Sequence, residues 1–243
     1  TLPEFKNEKV YQGYLLNILK WHEDKYQDVD KVENDKILYV LGESHSLTSH
    51  HLRIQHSGIN FFCKARLIKG CKQWHLGNAF RNQFKNQFES SFCSLPKYSY
   101  VLLAIGEIDC RLDSGIIEHK NKFPEKQIKE IILTTVENYL TYILKNNSGY
   151  QHNIIIQGVP CPNIDTENLP EKEVTQLVEV INIFNCELKT QSKEKGFGFL
   201  DIHKLTNKGE GLSNSVWHID TYHLSPEGMQ EAWRRYTAEQ SYG

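Results

Sequence analysis

Apolar side chains recur at helical spacing near the start of the chain: Tyr11, Tyr14, Leu15, Ile18 and Leu19 share one face of residues 8–22 and predict a helix. Polar residues fill 23–35, and Ile37-Leu-Tyr-Val-Leu41 then runs uninterrupted to Gly42. A short apolar run stopped by glycine is the pattern of a central parallel strand covered on both faces. From 52 to 68 apolar and polar positions alternate unevenly around His56-Ser-Gly-Ile59, which predicts a hairpin or an irregular strand pair with Gly58 in its turn. Phe80, Phe84 and Phe88 recur every four residues, so a helix capped by Asn78 is expected to reach about Cys93 and to stop before Pro96.

The same alternation continues to the other end. Residues 100–105 read as a buried strand, and Ile128, Ile131, Ile132, Val136, Tyr139, Leu140 and Ile143 then mark one face of a helix. A third buried strand at 153–157 leads through a Pro-rich loop into a helix carrying Val174, Leu177, Val178, Ile181, Phe184 and Leu188. A fourth strand is expected at 197–202, and a last helix starts with Ser225 as N-cap and Pro226 at its first position. Strand and helix thus alternate from 37 to 238, which predicts an α/β protein: a three-layer α/β/α sandwich around a mainly parallel sheet, with right-handed crossovers. Sites in such folds form beyond the carboxyl ends of the strands.

Composition narrows the function classes. The 243 residues carry 28 Lys plus Arg against 30 Asp plus Glu, a net charge of −2, and a hydrophobic fraction of 39%, which is ordinary for a soluble globular chain. With no repeat and no long Gly/Ser/Pro linker, one domain spanning 1–243 is expected, with a helical extension at about 1–35. No stretch approaches the ~18 apolar residues of a membrane helix, and no dense Lys/Arg block points to a nucleic-acid backbone as partner. The chain begins at Thr1 without a basic-then-apolar leader, as expected of a processed protein or of a domain of a longer one. The six cysteines (Cys63, Cys71, Cys93, Cys110, Cys161, Cys186) are spread singly, so buried free thiols are expected and a metal site is not.

Two motifs fall where chemistry is expected. Gly42-Glu-Ser-His-Ser46 follows the first strand directly, which puts Ser44 at a strand-to-helix turn with its own N–H and that of His45 open toward an anion. A serine there also serves simply as a helix cap. Near the other end, His218-Ile-Asp-Thr-Tyr-His-Leu-Ser-Pro226 sets Asp220 three residues before His223, a spacing that lets a carboxylate orient an imidazole for proton transfer from a serine, or else only satisfies a loop. Asp201 and His203 form a rival base–acid pair, while His50 and His51 lack regular ligand spacing.

Together with Gly106-Glu-Ile-Asp109 after a middle strand, these motifs resemble, in order and position, the blocks of the SGNH/GDSL hydrolase superfamily from about Ile37 to Trp233. That resemblance implies an α/β/α fold, ester hydrolysis or acyl transfer, often of acetyl groups on carbohydrates, and no cofactor. It implies Ser44 as nucleophile and oxyanion donor, His223 as general base and Asp220 as its orienting carboxylate. The second-block glycine, another oxyanion donor, corresponds to Gly77, with Gly70 as rival. The third block departs from the family, because Ile108 stands where an asparagine donates to the oxyanion; Asn78 and Arg111 are candidate substitutes. Glu107, Asp109 and Arg111 are expected to form a buried ion-pair cluster or to contact a polar substrate. His45 after the serine resembles carbohydrate-modifying branches, and Trp74, Trp217, Tyr222 and Phe62 are candidate walls of a sugar cleft. The expected substrate is therefore a small-molecule or carbohydrate ester; transfer to a sugar hydroxyl and a non-catalytic binding module are the alternatives.

Overall fold

The computed structural model describes residues 4–25 and 35–241. Helix α1 (Glu4–Lys25) precedes β1 (Lys36–Gly42), and the predicted hairpin follows as β2 (Arg53–His56) and β3 (Ile59–Leu67), with Gly58 in its turn at φ 73°. Two short helices are then met, α2 (Gln73–Gly77) and α3 (Gln83–Cys93), followed by β4 (Tyr100–Ala104), α4 (Gly115–Lys122) and α5 (Ile128–Asn147). The chain ends with β5 (Asn153–Gln157), α6 (Glu171–Glu194), β6 (Gly198–Leu200), α7 (Ile202–Thr206) and α8 (Pro226–Ser241).

The strands form one sheet in the order β2-β3-β1-β4-β5-β6, parallel throughout except for the β2–β3 hairpin at its edge. Alternating side chains supply two faces. Leu41, Val101, Leu103, Ile154 and Ile156 face a core built from α3, α5 and α6, including Phe88, Val136, Leu140 and Phe184. Leu38, Val40, Leu102 and Ile155 face the opposite core, where α8 contributes Met229, Trp233 and Tyr236. This is the expected α/β/α sandwich, and no helix among the described residues is long and apolar enough to cross a membrane.

Several elements differ from the hydrophobic pattern for local reasons. The helix expected from Asn78 starts at Asn82 instead, whose side chain accepts from Lys85 N at 3.0 Å. Residues 73–77 are already taken by α2, which lies so close to α5 that a Cβ on Gly77 would meet the Asn138 Cβ at 2.9 Å. Phe80 consequently lies outside the helix and is exposed, while Phe84 and Phe88 pack as the spacing predicts. The fourth strand is shortened to three residues because Asp201 caps α7, accepting from Lys204 N at 2.9 Å.

The end of β1 is the tightest point of the sheet. Gly42 pairs with Ala104 of β4, and a Cβ at Gly42 would overlap the Ala104 carbonyl oxygen. Gly42→Ala should therefore lower stability by at least about 2 kcal/mol, since overpacking that only the backbone can relieve reaches or exceeds the usual range. Urea denaturation measures it, and an unchanged midpoint would mean that β1 and β4 part freely there.

Candidate active site

Beyond Gly42 the chain turns sharply. Glu43 N donates to Ala104 O at 3.2 Å, and Glu43 O accepts from Ser46 N at 2.9 Å and from Ser46 Oγ at 2.8 Å. Ser44 thereby becomes the first residue of a 3₁₀ helix, Ser44–Ser49, at the strand-to-helix turn expected there. Its own N–H has no acceptor among the described residues, whereas the His45 N–H, expected to be open, donates to Glu43 Oε2 at 3.2 Å.

The second half of the site comes from the loop before α8. Asp220 Oδ1 accepts from Tyr222 N at 2.8 Å and from His223 N at 2.7 Å, an Asx turn that folds the loop back on itself. Ile219 N donates to His223 O at 2.9 Å, and Ser225 caps α8 as predicted, its Oγ accepting from Gly228 N at 3.0 Å. His223 Nδ1 is thus held 2.8 Å from Asp220 Oδ2, and its Nε2 stands 2.8 Å from Ser44 Oγ. The structure therefore brings Asp220, His223 and Ser44 into one continuous row of contacts.

Ser44 Oγ also lies 2.8 Å from Glu43 Oε2, so its single proton has two competing acceptors, this carboxylate and His223 Nε2. The other oxygen of this buried carboxylate lies 2.8 Å from His45 Nδ1, and His45 Nε2 lies 3.0 Å from the Tyr222 carbonyl. Neither partner can donate, so both ring nitrogens carry protons and His45 is an imidazolium. Burial opposes both charges. The His45 charge and hydrogen bond nonetheless hold Glu43 down at about 2, and Glu43 pushes His45 up to about 9. For His223, burial and then the nearby His45 charge pull the imidazole below its ordinary range. Burial would raise Asp220, but its bonds to His223 hold it at about 2. Two histidines whose rings lie 4.4 Å apart are thus driven in opposite directions, so that at pH 7 the balance favours a cationic His45 beside a neutral His223.

The remaining expected residues divide. Glu107 and Arg111 form a bidentate pair, with Nε–Oε1 and Nε–Oε2 at 2.9 Å and Nη2–Oε2 at 2.6 Å, and the guanidinium lies 4.3 Å over the Tyr222 ring. Asp109 does not join this pair. Its carboxylate turns away to the start of α2, accepting from Gln73 N at 2.7 Å and Trp74 N at 3.1 Å, and burial pushes it up to about 7. Gly77 and Asn78 line a separate cavity of about 420 Å³ between α2, α4 and α5, together with Trp74, Glu118 and Lys126; Ser44 is not among its walls. Asn78 Oδ1 there accepts from Phe80 N at 2.9 Å. Gly70 adopts φ 72° in the turn after β3 and has only Phe84 near its missing side chain. Phe62 is core, while Trp74 and Tyr222 are exposed. Asp201 pairs with Lys189 at 2.7 Å and caps α7, so it does not orient His203.

Sequence reasoning missed one close neighbour altogether: Tyr14 of α1, whose ring stacks on His223 with centroids 3.8 Å apart. A tyrosine on an apolar helix face carries no local signal of that contact. Ligand atoms of Glu43, His45 and His223 lie within 4.8 Å of one another, the one group among the described residues that could hold a metal ion. In the arrangement here Glu43 Oε1 lies 2.8 Å from His45 Nδ1 and the Tyr222 carbonyl 3.0 Å from His45 Nε2, so both His45 nitrogens already have protein neighbours.

The ion pair makes stability depend on pH with a definite sign. Glu43 is depressed from 4.5 to about 2, so its contribution is complete above 4.5 and is lost as pH falls toward 2. His45 is raised from 6.5 to about 9, so its contribution is complete below 6.5 and is lost as pH rises toward 9. The stability difference between the wild type and a Glu43→Gln/His45→Gln variant should therefore peak between pH 4.5 and 6.5 and shrink on both sides. Denaturant titrations at a series of pH values measure it, and a difference that stays flat up to pH 9 would mean His45 is not charged.

No protein-family model and no curated protein matches the sequence. Solved structures do. A GDSL-like lipase from Bacteroides thetaiotaomicron superposes with a TM-score of 0.53 at 14% identity, covering 93% of this chain and 96% of that one. An extracellular lipase from Streptomyces rimosus gives 0.52 at 13% identity, covering 83% of this chain and 100% of that one. Sheet, layers and these likenesses show that the chain shares the α/β fold of GDSL-like lipases.

Proposed function

We propose that this chain is a serine esterase acting through Ser44, His223 and Asp220 on a small acyl ester, an acetyl ester of a carbohydrate in the first instance. The observation that carries the reading is the contact row itself: Asp220 Oδ2 to His223 Nδ1 and His223 Nε2 to Ser44 Oγ, each 2.8 Å. Ser44 Oγ attacks the ester carbonyl while its proton passes to His223 Nε2, and Asp220 stabilises the imidazolium that forms. Collapse of the tetrahedral intermediate returns that proton to the departing alkoxide and leaves an acyl-Ser44 ester. Water then attacks, gives its proton to His223 and releases the acid. The sugar reading draws support from Tyr222, exposed beside His223 and backed by Arg111.

The oxyanion has a clear donor in the Ser44 N–H, and the His45 charge lies close by. Arg111 is committed to Glu107, and Asn78 faces the other cavity, so neither replaces the asparagine missing at Ile108. That departure also favours a second reading, a binding module that kept the fold without turnover.

A fluorophosphonate separates the two. An adduct on Ser44, mapped by mass spectrometry and lost in Ser44→Ala and His223→Ala, is expected; a folded wild type that stays unlabelled would overturn the esterase. Because His223 must be neutral to accept the proton, labelling should rise with pH along a limb whose midpoint lies below 6.5. His45→Gln removes the neighbouring charge and should move that midpoint upward; no movement would show that the charge does not reach His223. Ile108→Asn restores a side-chain donor and should raise the labelling rate by about 10² or more, the range that one such donor contributes. An unchanged rate would mean the oxyanion is already satisfied.

A further inference from the structure

We infer that Tyr14, brought by α1 from outside the sandwich, is a positioning residue for both Ser44 and His223; the inference rests on the esterase reading. Tyr14 is 1% exposed, and its hydroxyl reaches two atoms of the Ser44 turn: the Ser44 carbonyl at 2.7 Å and Thr48 Oγ1 at 2.8 Å. The carbonyl can only accept, so the phenol donates to it and takes its second bond from Thr48. Burial raises Tyr14 far above the ordinary phenol range, so this proton stays in place.

The consequence is local and mechanical. The peptide between Ser44 and His45 is gripped at both ends: its carbonyl by Tyr14, and its N–H by Glu43 Oε2 at 3.2 Å. Rotation of that peptide would swing Ser44 about its own backbone and carry Oγ away from His223 Nε2. The phenol ring meanwhile lies on the His223 imidazole, centroids 3.8 Å apart and planes inclined by 17°. It closes one side of the imidazole to water and resists a ring flip that would exchange Nδ1 and Nε2. The other groups acting on His223 are Asp220 on its own loop, Glu43 and His45 on the serine turn, and the more distant His218.

Other α1 side chains act farther from the reacting atoms: the His22 ring meets that of His51 at 6.4 Å, just past the serine turn. Ile18 is buried, Val10, Leu16 and Leu19 face outward, and the Lys25–Glu227 pair at 3.9 Å is exposed on both sides, a type of contact that contributes little. Tyr14 therefore links a helix outside the sheet layers to the reacting groups.

Tyr14→Phe keeps the ring and removes both hydroxyl bonds; Tyr14→Leu removes the stack as well. Inactivation by a fluorophosphonate, followed against pH alongside thermal melting, reads them apart. We expect Tyr14→Phe to react about tenfold more slowly with the acid limb unmoved, the value of losing the bond that holds the Ser44 carbonyl. Tyr14→Leu should react about 10²-fold more slowly, the scale of a small misplacement, with the limb shifted upward as water reaches His223. Both variants reacting like the wild type would overturn the inference and leave the esterase standing. A slower Tyr14→Leu with an unmoved limb and a normal Tyr14→Phe would reduce the residue to packing and equally overturn it. Should Tyr14→Leu not fold, Tyr14→Phe decides alone by its rate. An unlabelled wild type overturns the esterase and the inference together.

Discussion

Two opposite charges are buried side by side next to Ser44, and the geometry around them follows from that burden. Taking a carboxylate and an imidazolium out of water costs several kcal/mol each even after relaxation, and the cost is offset only where each remaining donor and acceptor finds a partner. Glu43 meets this with the His45 N–H and the His45 ring, and with Ser44 Oγ whenever that hydroxyl does not donate to His223; His45 meets it with Glu43 and the Tyr222 carbonyl. The serine turn and the histidine loop are thereby tied by the pair as well as by the Ser44–His223 contact. Removing one partner would strand the other, a loss on the order of 3–5 kcal/mol where the remaining charge cannot be neutralised.

The pair also explains how two neighbouring histidines take different parts. His45 has a carboxylate against one nitrogen and a carbonyl against the other, so it holds its proton. His223 has Asp220 against Nδ1 and a hydroxyl against Nε2, and the positive charge beside it discourages a second proton. One methylene separates Glu43 from the aspartate of the sequence motif it resembles, and it is the longer side chain that here reaches both the serine hydroxyl and the His45 ring.

Much of the fold was legible because the strands are continuous apolar runs: β5 (Asn153–Gln157) is the run read from the pattern, and β1 extends it by one residue at each end. Short helices escaped for a physical reason, since α2 and α4 span five and eight residues, too few turns for a helical period to emerge. The choice between Asn78 and Asn82 as cap was likewise undecidable locally; it is set by α2 packing against α5.

The site follows the same division. Ser44, Asp220 and His223 lie in motifs whose spacing is set by a turn, so a few consecutive residues carry the signal. Tyr14 meets the Ser44 turn across thirty residues of chain, and Asp109 leaves the Glu107–Arg111 pair to cap α2; neither outcome has a local signature. Gly77 is likewise set by a distant contact, the approach of α2 to α5, and it lines a cavity of which Ser44 is not a wall.

Everything beside Ser44 turns on two neighbouring histidines of different charge, His45 cationic and His223 neutral at pH 7. Nitrogen-15 NMR of histidine-labelled protein, assigned with His45→Gln and His223→Gln variants and titrated from pH 4 to 10, tests it most directly. The account predicts that His45 stays doubly protonated well above 6.5, losing its proton near 9, while His223 is neutral at pH 6.5 and charges only below it. A neutral His45 at pH 7, or a His223 that titrates above 6.5, would contradict it.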